Sequence, residues 1–302
     1  MPKPDATAAA PKITEVSNGL FKVKSTSPKG MFRFGLGKKH AQANSLFFEI
    51  NGKRRFEVGN DCDTCHFWFK CLQEPKAFAE KKIVNLPKAV SIPRPLDRKL
   101  VRELGPLIEL QEKGEYYIFN TRLNLTGPYG SDDEESYFYN SEFMEIWDIE
   151  DPASEDLLSG WEHYEGKTPR VFRHANGLLE KQFDFVVPLV PAVKLKQENI
   201  RLYQQMIQSG DRPRVLLLGM LHRAVPESVS SGQSKNLHSF FASFVLDGHH
   251  KLAAYRRAGV PVNALVILSQ KASKYFLVDG EESPPRARFE ARLGTLAEEN
   301  AA

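Results

Sequence analysis

The sequence predicts an α+β protein. A β-rich part spans residues 13–180, and a part in which apolar strands alternate with short helices spans 181–278. Three patterns predict this. The first part holds aromatic and β-branched runs bounded by Gly, Pro and Asp, such as EYYIFNTRLNLTG and YFYNSEFMEIWDIE. The second holds nearly continuous apolar runs, FDFVVPLVP and RVLLLGMLH, as expected of strands buried on both faces. Between those runs, apolar residues recur at helical spacing.

Taken in order, residues 1–12 are rich in Ala, Pro and Lys, a composition that predicts disorder. SLFFEING followed by KRRFEVGN predicts a hairpin, with Asn51-Gly52 as the positive-φ turn. LDRKLVRELGPLIEL reads as a helical stretch that Gly105-Pro106 interrupts. The acidic run Asp132 to Glu135 reads as a solvated loop. No internal repeat is visible. In the second part, KQENIRLYQQMIQSG places Ile200, Tyr203, Met206 and Ile207 on one helical face, with Gly210 as the stop. SFFASFVLDG reads as a third strand, HKLAAYRRAG as a helix closed by Gly259, and VNALVIL as a fourth strand. The tail, 279–302, is expected to begin disordered and to carry a short terminal helix.

Composition narrows the function classes. The 302 residues, 41% of them hydrophobic, suffice for one large core or two ordinary ones. No apolar run approaches the roughly 20 residues of a membrane span. The first residues lack an apolar signal core, and three cysteines make an odd count. Both point to a reducing, cytoplasmic setting without a disulfide framework. The total charge of +3 is uneven: Lys181 to Val278 holds 13 basic and 5 acidic side chains, a net +8, which leaves −5 for the rest. A basic module beside an acidic one points to an anionic ligand, or to ordinary solvated surface lysine.

The polar chemistry of the second part concentrates in FVLDGHHKLAAYRRAGVPVNALVIL, Phe244 to Leu268. A strand is expected to end at Leu246, Asp247-Gly248 to turn, and a helix to start near His249. The first amides of a helix lack intrahelical partners and carry the positive end of its dipole. A glycine that lets the backbone approach closely, followed by such a helix, is a general way to hold a phosphate. His249, His250 and Lys251 add side-chain donors there, and Arg256 and Arg257 extend the positive field. The plain alternative is a capping aspartate, a turn glycine and surface histidines.

These residues carry a resemblance. VPLVPAVKLKQENIRLYQQMIQSGDRPRVLLLGM, a loop, and then FVLDGHHKLAAYRRAGVPVNALVIL resemble the ParB/sulfiredoxin-like superfamily over about the last third of the chain. The resemblance implies a nucleotide-binding domain after the β-rich one, with phosphates at the signature turn. Partition proteins carry a basic string there and bind CTP, while sulfiredoxins carry a catalytic cysteine. The DGHH version resembles the free-serine kinase branch. His249 stands where the sulfiredoxin cysteine would be, so sulfiredoxin chemistry is not expected. Lys251 replaces the usual arginine and loses its bidentate geometry. The long insert HRAVPESVSSGQSKNLHSFFAS departs from the short loop of the family and reads as a lid or substrate loop.

The function expected on this basis is an ATP- or ADP-dependent kinase of a small hydroxylated metabolite, with CTP as the other candidate nucleotide. Gly248, His249, His250, Lys251 and Arg256 would bind the nucleotide. Asp247 and His249 are the candidate catalytic residues, with Asp247 either ligating Mg²⁺ or orienting the acceptor hydroxyl. The alternatives are a ParB-like nucleic-acid-binding protein or nuclease, and a non-catalytic nucleotide sensor. Only about 34 residues follow Leu268, short of a helix-turn-helix module.

A second cluster lies in GNDCDTCHFWFKCL, where all three cysteines fall within ten positions. Cys62, Cys65 and Cys71, with His66 or a distant histidine, would make a four-ligand structural Zn²⁺ site. Buried thiols beside an aromatic run and a redox C-x-x-C remain open as alternatives. The C-x-x-C-H string also matches haem attachment, which an export signal would have to accompany. His40, His163 and His174 carry no motif and read as structural. RVFRH is basic but lacks the stacking aromatics of an RNA-binding sheet.

Overall fold

The computed structural model describes residues 12–28, 30–36, 46–61, 66–72, 94–123, 165–173, 179–190, 195–224, 236–273 and 293. In chain order the elements are β1 (Ile13–Ser17), β2 (Leu20–Ser25), β3 (Phe32–Leu36), β4 (Leu46–Ile50), β5 (Lys53–Asp61) and β6 (His66–Cys71). Then come α1 (Arg98–Glu103), α2 (Gly105–Ile108), β7 (Gly114–Leu123), β8 (Glu165–Arg173) and β9 (Leu179–Pro188). The last are α3 (Gln197–Gln208), β10 (Val215–Ala224), β11 (Asn236–Asp247), α4 (His249–Ala258) and β12 (Val262–Ser269). The protein is α+β and dominated by strand. The expected disordered start, the acidic run and YFYNSEFMEIWDIE lie outside the described residues, as does most of the tail. Its Leu293 is helical and fully buried.

Local signals in the chain account for several of these elements. Asn51 and Gly52 take φ of 54° and 72°, the pair of positive values that a two-residue hairpin turn requires between β4 and β5. Asp97 caps α1, its Oδ1 accepting the Leu100 amide at 2.6 Å. Pro106 sits in the first turn of α2, where its missing N–H is no loss. α3 buries Ile200 and Ile207 and ends before Gly210 at φ 100°, as the helical spacing requires.

Eight strands form one mixed sheet in the order β1-β2-β7-β12-β10-β11-β9-β8. β10 runs parallel to β12 and β11 parallel to β9, while the other pairs are antiparallel. The boundary expected at residue 180 falls inside β9, and β7 pairs with β12 along its length, from Leu123 opposite Val262 to Tyr116 opposite Ser269. Strands from both expected parts therefore share one sheet. Both ends of the segment read as a lid or substrate loop belong to two of those strands, since Ala224 of β10 pairs with His238 of β11. Residues 225–235 lie outside the described residues.

Strand alternation divides the core between the two faces. On one face Leu217, Val245 and Val266 pack against Leu252 and Ala253 of α4 and Ile200 of α3. On the other face Leu216, Phe244 and Leu265 pack against α1, α2 and a four-stranded antiparallel sheet, β3-β4-β5-β6. Phe244 joins the two sheets: its ring stacks on Phe48 at 4.3 Å and lies 5.7 Å from Phe56. Truncating such a fully buried phenyl costs about 3–5 kcal/mol. The outcome is three layers, with α3 and α4 on one face of the large sheet and the small sheet on the other.

Candidate functional site

The Asp247–Lys251 turn lies where β11 passes into α4. β11 stops at Asp247, α4 starts at His249, and Gly248 alone lies between them. Gly248 has φ 100°, and a Cβ there would meet the Cα of Val215 at 3.2 Å. Glycine is required both by the backbone conformation and by the close approach to β10. No side chain caps α4. Its first amides therefore carry the helix dipole without a capping carboxylate.

The side chains of the turn point mostly inward. His249 is 8% exposed, and its Nε2 accepts the amides of Leu189 at 3.0 Å and Val190 at 3.1 Å. Two consecutive amides converging on one acceptor form the kind of concavity that elsewhere holds an anion; here an imidazole nitrogen fills it. Accepting through Nε2 makes the ring the neutral Nδ1–H tautomer. Burial, with the neighbouring His250 acting in the same direction, pushes the His249 pKa down to about 3. His250 is half-buried, and its Nε2 accepts the amide of Lys196, the residue that opens α3, at 3.0 Å. Burial lowers its pKa; Asp247 opposes that shift and Lys196 adds to it.

Lys251 is 4% exposed. Its Nζ donates to the Arg214 carbonyl at 2.9 Å and to Asp247 Oδ2 at 3.2 Å, and lies 5.8 Å from the Tyr203 ring centre. The phenol of Tyr203 titrates above its ordinary value, first through burial and then through the Asp247 charge. Further along α4, Tyr255 donates to the Pro213 carbonyl at 3.0 Å. The turn and its helix are thus fastened to three connections: residues 189–190, residue 196 and residues 213–214.

Of the two residues expected to be catalytic, Asp247 alone presents its functional group outward, with 41% of its side chain exposed. The described nitrogen of His249 is occupied as an acceptor, and a pKa near 3 removes the imidazolium at neutral pH. Of the expected nucleotide ligands, Gly248 and the backbone of His249 and His250 lie at the open helix start. The Lys251 ammonium lies beneath it. Arg256 stands in the last turn of α4, about 10 Å along the axis from His249, at the negative end of the dipole. The sequence reading missed Tyr203, Arg214 and the amides of Leu189 and Val190. A charged residue set directly before an apolar run, DRPRVLLLGM, was the one available hint of Arg214. Backbone amides leave no trace in a sequence.

No protein-family model, curated protein or solved structure matches this chain.

Metal ligands fare unevenly. Among the described residues, no group of three or more His, Cys, Asp and Glu side chains is placed to hold a metal ion. Cys62 and Cys65 lie outside those residues. β5 and β6 pair antiparallel with Asp61 opposite His66 and Phe56 opposite Cys71. Five strand steps put Cys71 about 16 Å from His66, whereas ligands at about 2.0–2.3 Å from one zinc ion must cluster within a few ångströms. The backbone therefore separates Cys71 from a zinc site that includes His66. For Mg²⁺, the turn offers one carboxylate already paired with an ammonium. Mg²⁺ ordinarily takes one or two carboxylates and completes its shell with phosphate oxygens and waters. It fits here as a companion of a bound phosphate. No helix among the described residues is long and apolar enough to cross a membrane.

Proposed function

We propose that this chain binds a nucleotide, ATP or ADP with CTP as the other candidate, with its phosphates at the first amides of α4. One observation carries the reading: α4 opens on Gly248 at φ 100° with no side-chain cap, beside an Asp247 carboxylate that is 41% exposed. The resemblance of this segment to the ParB/sulfiredoxin-like superfamily supports the same ligand class. Phosphate oxygens would accept from the amides of the first turn, where the dipole favours negative charge. Lys251, 3.2 Å from Asp247, offsets the repulsion between that carboxylate and a bound phosphate. In an active enzyme Asp247 would orient the hydroxyl of a small acceptor and take its proton. The phosphotransferase reading rests on Asp247 alone among the turn side chains.

A second reading, a nucleotide sensor without turnover, is favoured by the internal hydrogen bonds of His249, His250 and Lys251. The test is thermal stabilisation by ATP, ADP and CTP, each with and without Mg²⁺, followed by a search for turnover with hydroxylated acceptors. Binding to the folded state alone raises the melting temperature. His250→Glu puts a carboxylate in the first turn and is expected to abolish the nucleotide-dependent shift. No shift from any nucleotide at millimolar concentration sinks the proposal.

A further inference from the structure

Arg214 enters β10 from the connection that follows α3, and its side chain lies on the face of the large sheet away from α4. Strand alternation places it there: Val215 packs with α4 on one face, and Leu216 packs with Leu96 and Leu100 on the other. Arg214 is 3% exposed. Its Nη2 donates to the carbonyl of Arg94. Its Nε and Nη1 are buried and have no hydrogen-bond partner among the described residues. Among the described residues the Nε of Arg94 is also buried without a partner, while its Nη2 reaches Glu103 of α1 at 2.5 Å. Arg214 thus reaches the backbone of Arg94, the Arg94 guanidinium holds the Glu103 carboxylate, and three donor nitrogens of the two arginines are left over. Burial, then the Arg94 charge, pushes the Arg214 pKa down.

A guanidinium stays protonated in proteins, so deprotonation cannot relieve this arrangement. Buried, unpaired polar groups are rare in folded proteins and call for a partner. The planar fork of arginine suits a tetrahedral oxyanion. The pair borders solvent on one side, where the Arg94 and Glu103 side chains are 30% and 32% exposed. We propose that the Arg94–Arg214 pair is a second anion site, which takes a phosphate group in competition with the Glu103 carboxylate. Three leftover donors match the terminal oxygens of a phosphate better than the two oxygens of a carboxylate. The site lies across the sheet from α4 and does not depend on a nucleotide binding there.

The test is calorimetric titration of the full chain with inorganic phosphate in chloride buffer, and with acetate as the carboxylate probe. Wild type is expected to show saturable phosphate binding and weaker acetate binding. Arg214→Lys, which keeps the charge and loses the fork, should weaken phosphate by about tenfold or more. Glu103→Gln removes the internal competitor and should tighten it severalfold. Arg214→Met should abolish it; if that variant fails to fold, the lysine and glutamine variants decide. Absence of saturable phosphate binding to wild type overturns the proposal. So does phosphate binding that is indifferent to both Arg214→Lys and Glu103→Gln. Binding lost only in His250→Glu would belong to α4, which overturns the second site and leaves the nucleotide reading intact.

Discussion

The imidazole of His249 accepts the amide of Leu189 at 3.0 Å across sixty residues of chain, and the same nitrogen takes the amide of Val190. The start of α4 is thereby held against the end of β9. The bond needs the neutral ring. Protonating Nε2 would set a donor against two donors in a site closed to water, and that conflict governs the first prediction.

Stability should fall in acid through His249. Its folded pKa is about 3, against 6.5 in the unfolded chain. Above about pH 6.5 both states hold the ring neutral and the bond contributes in full. Between about 6.5 and 3 the unfolded chain binds the proton first, so stability declines by up to about 1.4 kcal/mol per pH unit. Urea midpoints measured from pH 7.5 to 4.5 check this. His249→Gln, whose side-chain oxygen can accept the same amides, should flatten that part of the profile. An equal slope in wild type and variant would refute the assignment.

Asp247→Asn separates enzyme from sensor. The amide keeps shape but loses the charge beside Lys251, and stability should fall by about 1 kcal/mol. In a phosphotransferase, turnover should drop by roughly 10²- to 10⁴-fold while nucleotide-dependent stabilisation survives. Steady-state rates and melting curves on the same preparation read both quantities. A fully active Asp247→Asn removes the carboxylate from the chemistry.

Gly248→Ala should destabilise the fold by about 1–3 kcal/mol, because a β-carbon is strained at φ 100° and approaches Val215 at 3.2 Å. Gly210→Ala is the control: it has the same φ of 100° but open space around it, so it reports the backbone cost alone. Chemical denaturation of the two variants, compared with wild type, measures the contribution of the close approach. Equal losses would mean that Val215 yields.

A zinc ion that copurifies on His66 is held without Cys71. Elemental analysis of Cys71→Ser should match wild type, whereas Cys65→Ser should lose the metal. Loss in Cys71→Ser would mean that the ion is held by Cys71 and not by His66, which lies five strand steps away.

The sequence by itself determined the local elements. Asn51-Gly52 dictates a hairpin turn because both positions need positive φ. Gly105-Pro106 breaks a helical stretch, and Ile200, Tyr203 and Ile207 mark the buried side of α3. Gly248 and Gly259 bracket α4, each in the left-handed region. All of these depend on neighbours within a few residues, and such signals are written in the chain. Tertiary structure alone decided which strands distant in the chain meet. Nothing in EYYIFNTRLNLTG indicates that β7 will line β12, because two apolar strands carry no label for one another. It also decided that His249 and Lys251 turn inward. Their partners are main-chain atoms, the amides of Leu189 and Val190 and the carbonyl of Arg214, and every residue has such groups. Only the folded path of the backbone selects which of them face a side chain. The same path brought Arg214 to the main-chain carbonyl of Arg94, whose own guanidinium holds Glu103.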